Sequence, residues 1–151
     1  MKSKVVLIIS MVALCCIVLS GCSSAKESSD NTIPYKIAEH YFIRNDVAGL
    51  PPTVITSREE FEKYFGMAAV MGKNGQPTEI DFNKAFVISI SLAPTDIDTR
   101  LSIVSLTKAA SSHIVMKYTI ERGEKMSYTM QPLVLLIVDK KYEMPVKPEP
   151  I

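Results

Sequence analysis

Few side chains in this sequence can carry a reaction, and their spacing limits what each can do. His40 and His113 are the only imidazoles in 151 residues, so general-base chemistry near neutral pH would fall to them. Nucleophilic catalysis needs a base within reach of its nucleophile and a third group that orients the base. His40 sits beside Glu39 in an expected strand, His113 opens another, and neither lies near a serine in a recognisable elbow. Both read as solvated or interface histidines. Asp96 and Asp98 flank Ile97 and could offer two oxygens to a cation, but a calcium loop supplies more ligands at closer spacing. They read better as acceptors for backbone amides in a turn. Glu59, Glu60 and Glu62 gather at the start of an expected helix, where they oppose its positive dipole end. Gly72-Lys73-Asn74-Gly75 lacks the Lys-Ser/Thr ending of a phosphate loop. The expectation is a non-enzyme with no metal and no cofactor.

The cysteines carry a different chemistry. Lys2 and Lys4 precede an apolar run from Val5 to Leu19, broken only by Ser10, and Leu19-Ser20-Gly21-Cys22 closes it. A positive start, a short apolar core and small residues before a cut are the marks of a secretory signal. The run is short for a membrane-spanning helix, which needs about 20 apolar residues. The tetrapeptide resembles the lipobox of bacterial lipoproteins. That resemblance implies transfer of a diacylglyceryl group to the Cys22 thiol and cleavage just before it. Residues 1–21 are then a signal peptide, and Cys22 becomes the lipidated N-terminus, its acyl chains (palmitate among them) holding the protein on a membrane. The alternatives are an ordinary secretory signal with an incidental cysteine, or a retained single-span anchor. Cys15 and Cys16 lie in the apolar core, so the mature chain would hold no free thiol, disulfide or thiolate metal site. The expected location is the cell envelope, outside the cytoplasm, on the outer membrane of a Gram-negative bacterium.

Composition narrows the partners. Residues 22–151 hold all 16 acidic residues and 15 of the 17 basic ones, a net charge of −1. No basic cluster defines a face, which argues against nucleic acid as a partner. The polar stretch Ser23–Thr32 reads as a flexible tether, giving a boundary of 22–34. One domain follows over 35–144. The tail 145–151, with Pro145, Pro148 and Pro150, reads as extended chain outside any ladder.

Within the domain, Ile37 to Arg44 favours a strand with Tyr41 and Ile43 on one face. Ser57-Arg58-Glu59-Glu60 matches a capping box, followed by aromatics at Phe61, Tyr64 and Phe65 and a glycine, Gly66, placed to end the helix. Met67 to Pro77 is ambiguous: Met67–Met71 reads either as more helix or as a surface loop, and Gly72-Lys73-Asn74-Gly75 reads as a turn. Phe86, Ile88, Ile90 and Leu92 alternate with Val87, Ser89 and Ser91, a period of two. Pro94–Asp98 breaks that pattern, and strands follow at Arg100–Leu106 and His113–Glu121. Arg122-Gly123-Glu124-Lys125 reads as a reversal. Leu133–Val138 is nearly all apolar, as in a central strand covered on both faces. Short connections exclude parallel crossovers. The expected fold is therefore α+β, with one short capped helix on a mainly antiparallel sheet of about five strands, or alternatively a small partly closed β-barrel.

The order of these features resembles a known family. Ile55-Thr56-Ser57-Arg58-Glu59-Glu60-Phe61 opens a helix, Ile80 to Ile88 leads into a strand, and Pro132 precedes an apolar strand ending at Val138-Asp139-Lys140-Lys141. Over residues 37–141 this is similar to the C-terminal domain of the PrcB-type protease-complex subunit family and to small lipoproteins of Bacteroidetes. The resemblance implies a non-enzymatic lipoprotein that associates with, stabilises or inhibits an envelope protease. The alternative is a structural or ligand-capture envelope lipoprotein with no protease link. Met67, Met71, Lys73, Asn74, Asp96 and Asp98 are the expected partner-binding loop residues, the methionines because they repack easily against a partner; the alternative for Met67 and Met71 is that they fill the core beneath the helix.

Overall fold

Two apolar runs, Ala85–Ser91 and Leu133–Asp139, organise the fold because both of their faces are covered. The computed structural model describes residues 31–68, 71–72, 75–109 and 112–151. Along these residues run strands β1 (Tyr35–Ile37), β2 (Tyr41–Ile43) and β3 (Val54–Ile55), helix α1 (Arg58–Tyr64), and strands β4 (Phe65–Met67) and β5 (Ala85–Ser91). The long strands β6 (Thr95–Ala109) and β7 (His113–Met130) follow, then β8 (Leu133–Asp139), a 3-10 turn at Lys140–Tyr142, and β9 (Val146–Pro150). The expected signal peptide, most of the tether, Cys22, Lys73 and Asn74 lie outside the described residues.

β1, β8, β5 and β3 form an antiparallel sheet in that order, with β5 and β8 paired from Ala85 opposite Asp139 to Ser91 opposite Leu133. Successive side chains of a strand point to opposite faces. Phe86, Ile88 and Ile90 with Leu136 and Val138 therefore meet a second sheet, β6-β7-β9, at Leu101, Leu106, Ile114 and Met116. Val87 and Leu135 point the other way, into a cluster with Phe61 of α1, Phe65 and Ile43. Three layers result: helix with the β2–β4 ribbon, central sheet, and long-stranded sheet. The fold is α+β and mainly antiparallel, and its sheets stay separate instead of closing into a barrel. The apolar run at Leu133–Val138 is the central strand its composition implies.

Helix α1 is short and held by its start and by one face. The Ser57 hydroxyl accepts from the Glu60 amide at 3.2 Å, and the Glu60 carboxylate accepts from the Thr56 amide at 3.5 Å, one residue before the reciprocal bond of a capping box. Phe61 is its buried residue, edge-on to Tyr41 and tilted against Phe65 and Phe82. Burial of that ring contributes on the order of 2–3 kcal/mol.

Several local expectations are corrected. The strand expected over Ile37–Arg44 is split at His40, whose positive φ of 64° turns the chain from β1, paired with β8, to β2, paired with β4. Gly66 does not end the helix. Phe65 already leaves it in extended conformation, and Gly66 pairs with Phe42 inside β4. Arg122–Lys125 does not reverse the chain, since β7 continues to Met130. Its polar residues are absorbed as bulges instead: Thr99 faces Arg122, Ile97 faces Lys125 and Thr95 faces Met130. The sheet expected as one of about five strands is three sheets, because β2–β4 and β6-β7-β9 pack on opposite sides of the central one.

Both domain boundaries move outward. Ile33 is buried, and its amide donates to the Leu106 carbonyl at 2.8 Å, so the domain takes in residues assigned to the tether. The proline-rich tail forms β9, parallel to β7. The Pro145 carbonyl accepts from the Ile114 amide at 2.8 Å and the Ile151 amide donates to the Tyr118 carbonyl at 3.0 Å. By alternation, odd-numbered residues face β7, and the nitrogens of Pro148 and Pro150 fall on the outer edge, where no N–H is needed.

Candidate functional site

The residues singled out from sequence fall into separate places. Met67 stands on β4 opposite Tyr41 and is largely exposed, and Met71 is fully exposed. Asp96 and Asp98 are not in a loop. They belong to β6, and the connection from β5 is only Leu92–Pro94. Asp96 pairs with Lys125 at 3.1 Å. Asp98 is held beside Gly123, where an added Cβ would lie 3.3 Å from the Asp98 Cβ. Threonines, not these aspartates, bond the local backbone: the Thr95 hydroxyl accepts from the Ile97 amide at 3.1 Å, and the Thr99 hydroxyl donates to the Ile97 carbonyl at 2.8 Å. Met67 on β4 and Asp96 and Asp98 on β6 thus lie in different sheets, Met71 lies in neither, and they do not make one loop cluster.

The histidines are also apart. The His40 carbonyl accepts from the Ala68 amide at 2.8 Å. His113 opens β7, with Nδ1 3.0 Å from the Ser112 hydroxyl at an exposed position. Among the described residues, no cluster of three His, Cys, Asp or Glu side chains could hold a metal ion.

What the topology does assemble is a groove at one end of the domain. One wall is Tyr41, Phe42 and Ile43 of β2, and the other is Thr129, Met130 and Gln131 where β7 turns into β8. Asn45, Pro94 and Leu133 complete its lining, and its volume is about 430 Å³. A second cleft shares Asn45, Pro94 and Gln131 and continues past Gly49 and Leu50. A third shares Tyr41, Met130 and Gln131 and reaches Asp98 and Arg100. The three clefts therefore adjoin at this end.

Its electrostatics are mild. The Tyr41 hydroxyl donates to the Thr78 carbonyl at 2.7 Å, and burial pushes the phenol above its ordinary range against a smaller opposing effect of Arg58. Arg44 grips Asp46 with two bonds of 3.0 and 2.8 Å. That contact lowers the Asp46 carboxyl and raises the Arg44 guanidinium, both at exposed positions. The central lining carries no carboxylate, amine or guanidinium.

The groove lies far from where the chain enters the domain. Asn31 is bonded through its carbonyl to the Lys108 amide, near the end of β6, whereas Thr95 and Pro94 mark the other end. The 15 residues of β6 span roughly 45 Å at most at ~3.3 Å each.

Phe42, Asn45 and Gln131 were not singled out from sequence. Phe42 and Asn45 lie in one stretch and Gln131 in another far along the chain, and only the packing of separate sheets brings them together.

No protein-family model matches the chain, and neither a curated protein nor a solved structure matches it. What the fold defines is a three-layered α+β domain with an edge-lined groove at one end.

Proposed function

We propose that the chain is a lipid-tethered, non-enzymatic protein-binding module of a bacterial cell envelope. Cys22 carries the anchor, and the groove between β2 and the β7–β8 turn meets an envelope protein. The groove is the observation that carries this reading: two walls of backbone and mixed side chains, uncharged at the centre, at the end remote from Asn31. The domain itself begins at Asn31, bonded to Lys108 at the other end of β6 from Pro94. The signal pattern before Cys22 supports the anchor, and the resemblance to PrcB-type subunits supports a protease as the partner.

Two measurements test it. Intact mass of the membrane-extracted protein is expected to show a chain starting at Cys22 with a lipid adduct, and Cys22→Ala is expected to abolish acyl labelling and release the protein from membranes. Retention of residues 1–21 in the purified native protein would overturn the anchor. A photo-reactive residue in place of Gln131 is expected to cross-link an envelope protein in cells. A second reading, capture of a small polar ligand, is favoured by the Asn45 and Gln131 amides beside Phe42. Groove cross-links confined to envelope glycan would select it.

A further inference from the structure

We infer that β2 is the receiving edge of this module, and that its partner contributes an uncharged extended segment which adds to β2 as a new strand. The inference rests on the protein-binding reading and specifies how binding occurs.

Backbone register carries it. The Arg44 amide donates to the Tyr64 carbonyl at 2.9 Å and the Ala68 amide donates to the His40 carbonyl at 2.8 Å. Antiparallel strands alternate bonded and non-bonded pairs, so Phe42 directs its backbone groups to Gly66, while Tyr41 and Ile43 direct theirs away from β4. Opposite Ile43, the Phe65 amide is occupied by the Phe61 carbonyl of α1, as a non-bonded pair requires. Among the described residues, the N–H and C=O groups of Tyr41 and Ile43 have no backbone partner.

Those groups face the groove. Consecutive strand residues point to opposite faces, so a groove lined by Tyr41, Phe42 and Ile43 together meets the strand along its edge. The open stretch is bounded on one side by Glu39, whose carbonyl accepts from the Thr78 amide at 3.2 Å, and on the other by the turn at Arg44–Val47. A short partner strand could fill it and take up to about four backbone bonds, the pattern of strand addition to an exposed sheet edge. Thr129, Met130 and Gln131 form the opposite wall and would touch the partner's far side.

Charge selects the occupant. The central lining is free of ionised side chains, and each end offers both signs, Arg44 with Asp46 at one and Arg100 with Asp98 at the other. A charged segment would be desolvated without a counter-ion there. A second copy of this chain fits poorly, because two β2 edges would share only three residues each before His40 bends the backbone away.

The test uses the full-length lipidated protein. A photo-reactive benzoylphenylalanine is placed at Asn45 or Gln131, and separately at Met67 or Met71, and cross-linked in cells. The expected result is one segment of another protein captured from Asn45 and Gln131. That segment, made as a synthetic peptide and added to the protein in detergent micelles, should slow amide exchange at Tyr41 and Ile43 about tenfold or more, with Phe42 little changed. The same peptide N-methylated at alternate residues along its pairing edge should lose the effect. Capture of another copy of this chain, of lipid alone, or of a peptide that leaves both amides unaffected would overturn the inference. Protein capture from Met67 and Met71 alone would remove the β2 edge but leave the binding-module reading standing; no protein from either pair would remove both.

Discussion

The Phe42 ring occupies the space in which a side chain on Gly66 would stand: a Cβ built there falls 2.5 Å from Phe42 Cζ and 2.8 Å from Cε1. Gly66 is needed for this approach and not for its backbone angles, since its φ is not positive. The atoms in conflict are the far end of a side chain that is 44% exposed, so the ring can swing aside. Gly66→Ala is expected to cost about 1 kcal/mol, whereas in a Phe42→Ala background the same change should stabilise by about 0.5–1 kcal/mol, as Ala does over Gly within strands. Urea unfolding of the four proteins in this double-mutant cycle gives the coupling. An equal effect of Gly66→Ala in both backgrounds would contradict the contact.

Ser89 gives the second prediction. Its residue is 3% exposed, it stands opposite Leu135, and its hydroxyl has no hydrogen-bond partner among the described residues. A buried polar group without a partner costs about 1–3 kcal/mol. Ser89→Ala is therefore expected to stabilise the domain by about 1 kcal/mol, less a small loss for the space vacated. Thermal unfolding measures it, and a lower midpoint for the alanine variant would mean that the hydroxyl is bonded after all.

Ser89 also shows why the sequence was legible only in part. The alternation Phe86, Ile88, Ile90 identified a strand and one of its buried faces, because period two is a local signal. It did not show that Val87 and Ser89 are buried as well; Val87 is covered by Phe61 of α1 and Phe65 of β4, elsewhere in the chain. The Ser57–Glu60 cap was legible for the same local reason. Gly66 and Gly123 misled because glycine marks close approach as readily as a turn, and here each admits a neighbour, Phe42 and Asp98. The groove was illegible because Tyr41, Pro94 and Gln131 meet only where separate sheets pack together.

Tyr41 should give the domain a dependence on alkaline pH. Its phenol donates to the Thr78 carbonyl, and burial raises its pKa in the folded state. A raised folded pKa means that this contribution is complete below the unfolded value, about 10, and is lost as pH rises through the folded one. Tyr41 is only half-buried, so solvent screens the effect and the slope is expected to be shallow. Tyr41→Phe keeps the edge-on contact with Phe61 and removes the bond, for an expected cost of about 0.5–1.5 kcal/mol at neutral pH. The gap between the two proteins should narrow in unfolding measurements at about pH 11; a constant gap would assign the loss to packing alone.

Residues 146–150 form a strand and not a free tail. Val146 packs on the core, and β9 covers the edge of β7 at Ile114 and Met116, both fully buried. Deleting residues 146–151 is expected to destabilise by about 3 kcal/mol or more, through lost apolar burial and ladder bonds. It should also open a long unpaired edge on β7 and promote self-association, as exposed edges do. Removing an unattached tail would do neither. The proline placement gives the finer test. Because the nitrogens of Pro148 and Pro150 face outward, Pro148→Ala should leave the ladder to β7 intact, with a change within about 0.5 kcal/mol. It restores an N–H on the outer edge, so association measured by light scattering should rise while the monomer's unfolding midpoint holds. Loss of several kcal/mol in Pro148→Ala would place that nitrogen against β7 and reverse the register.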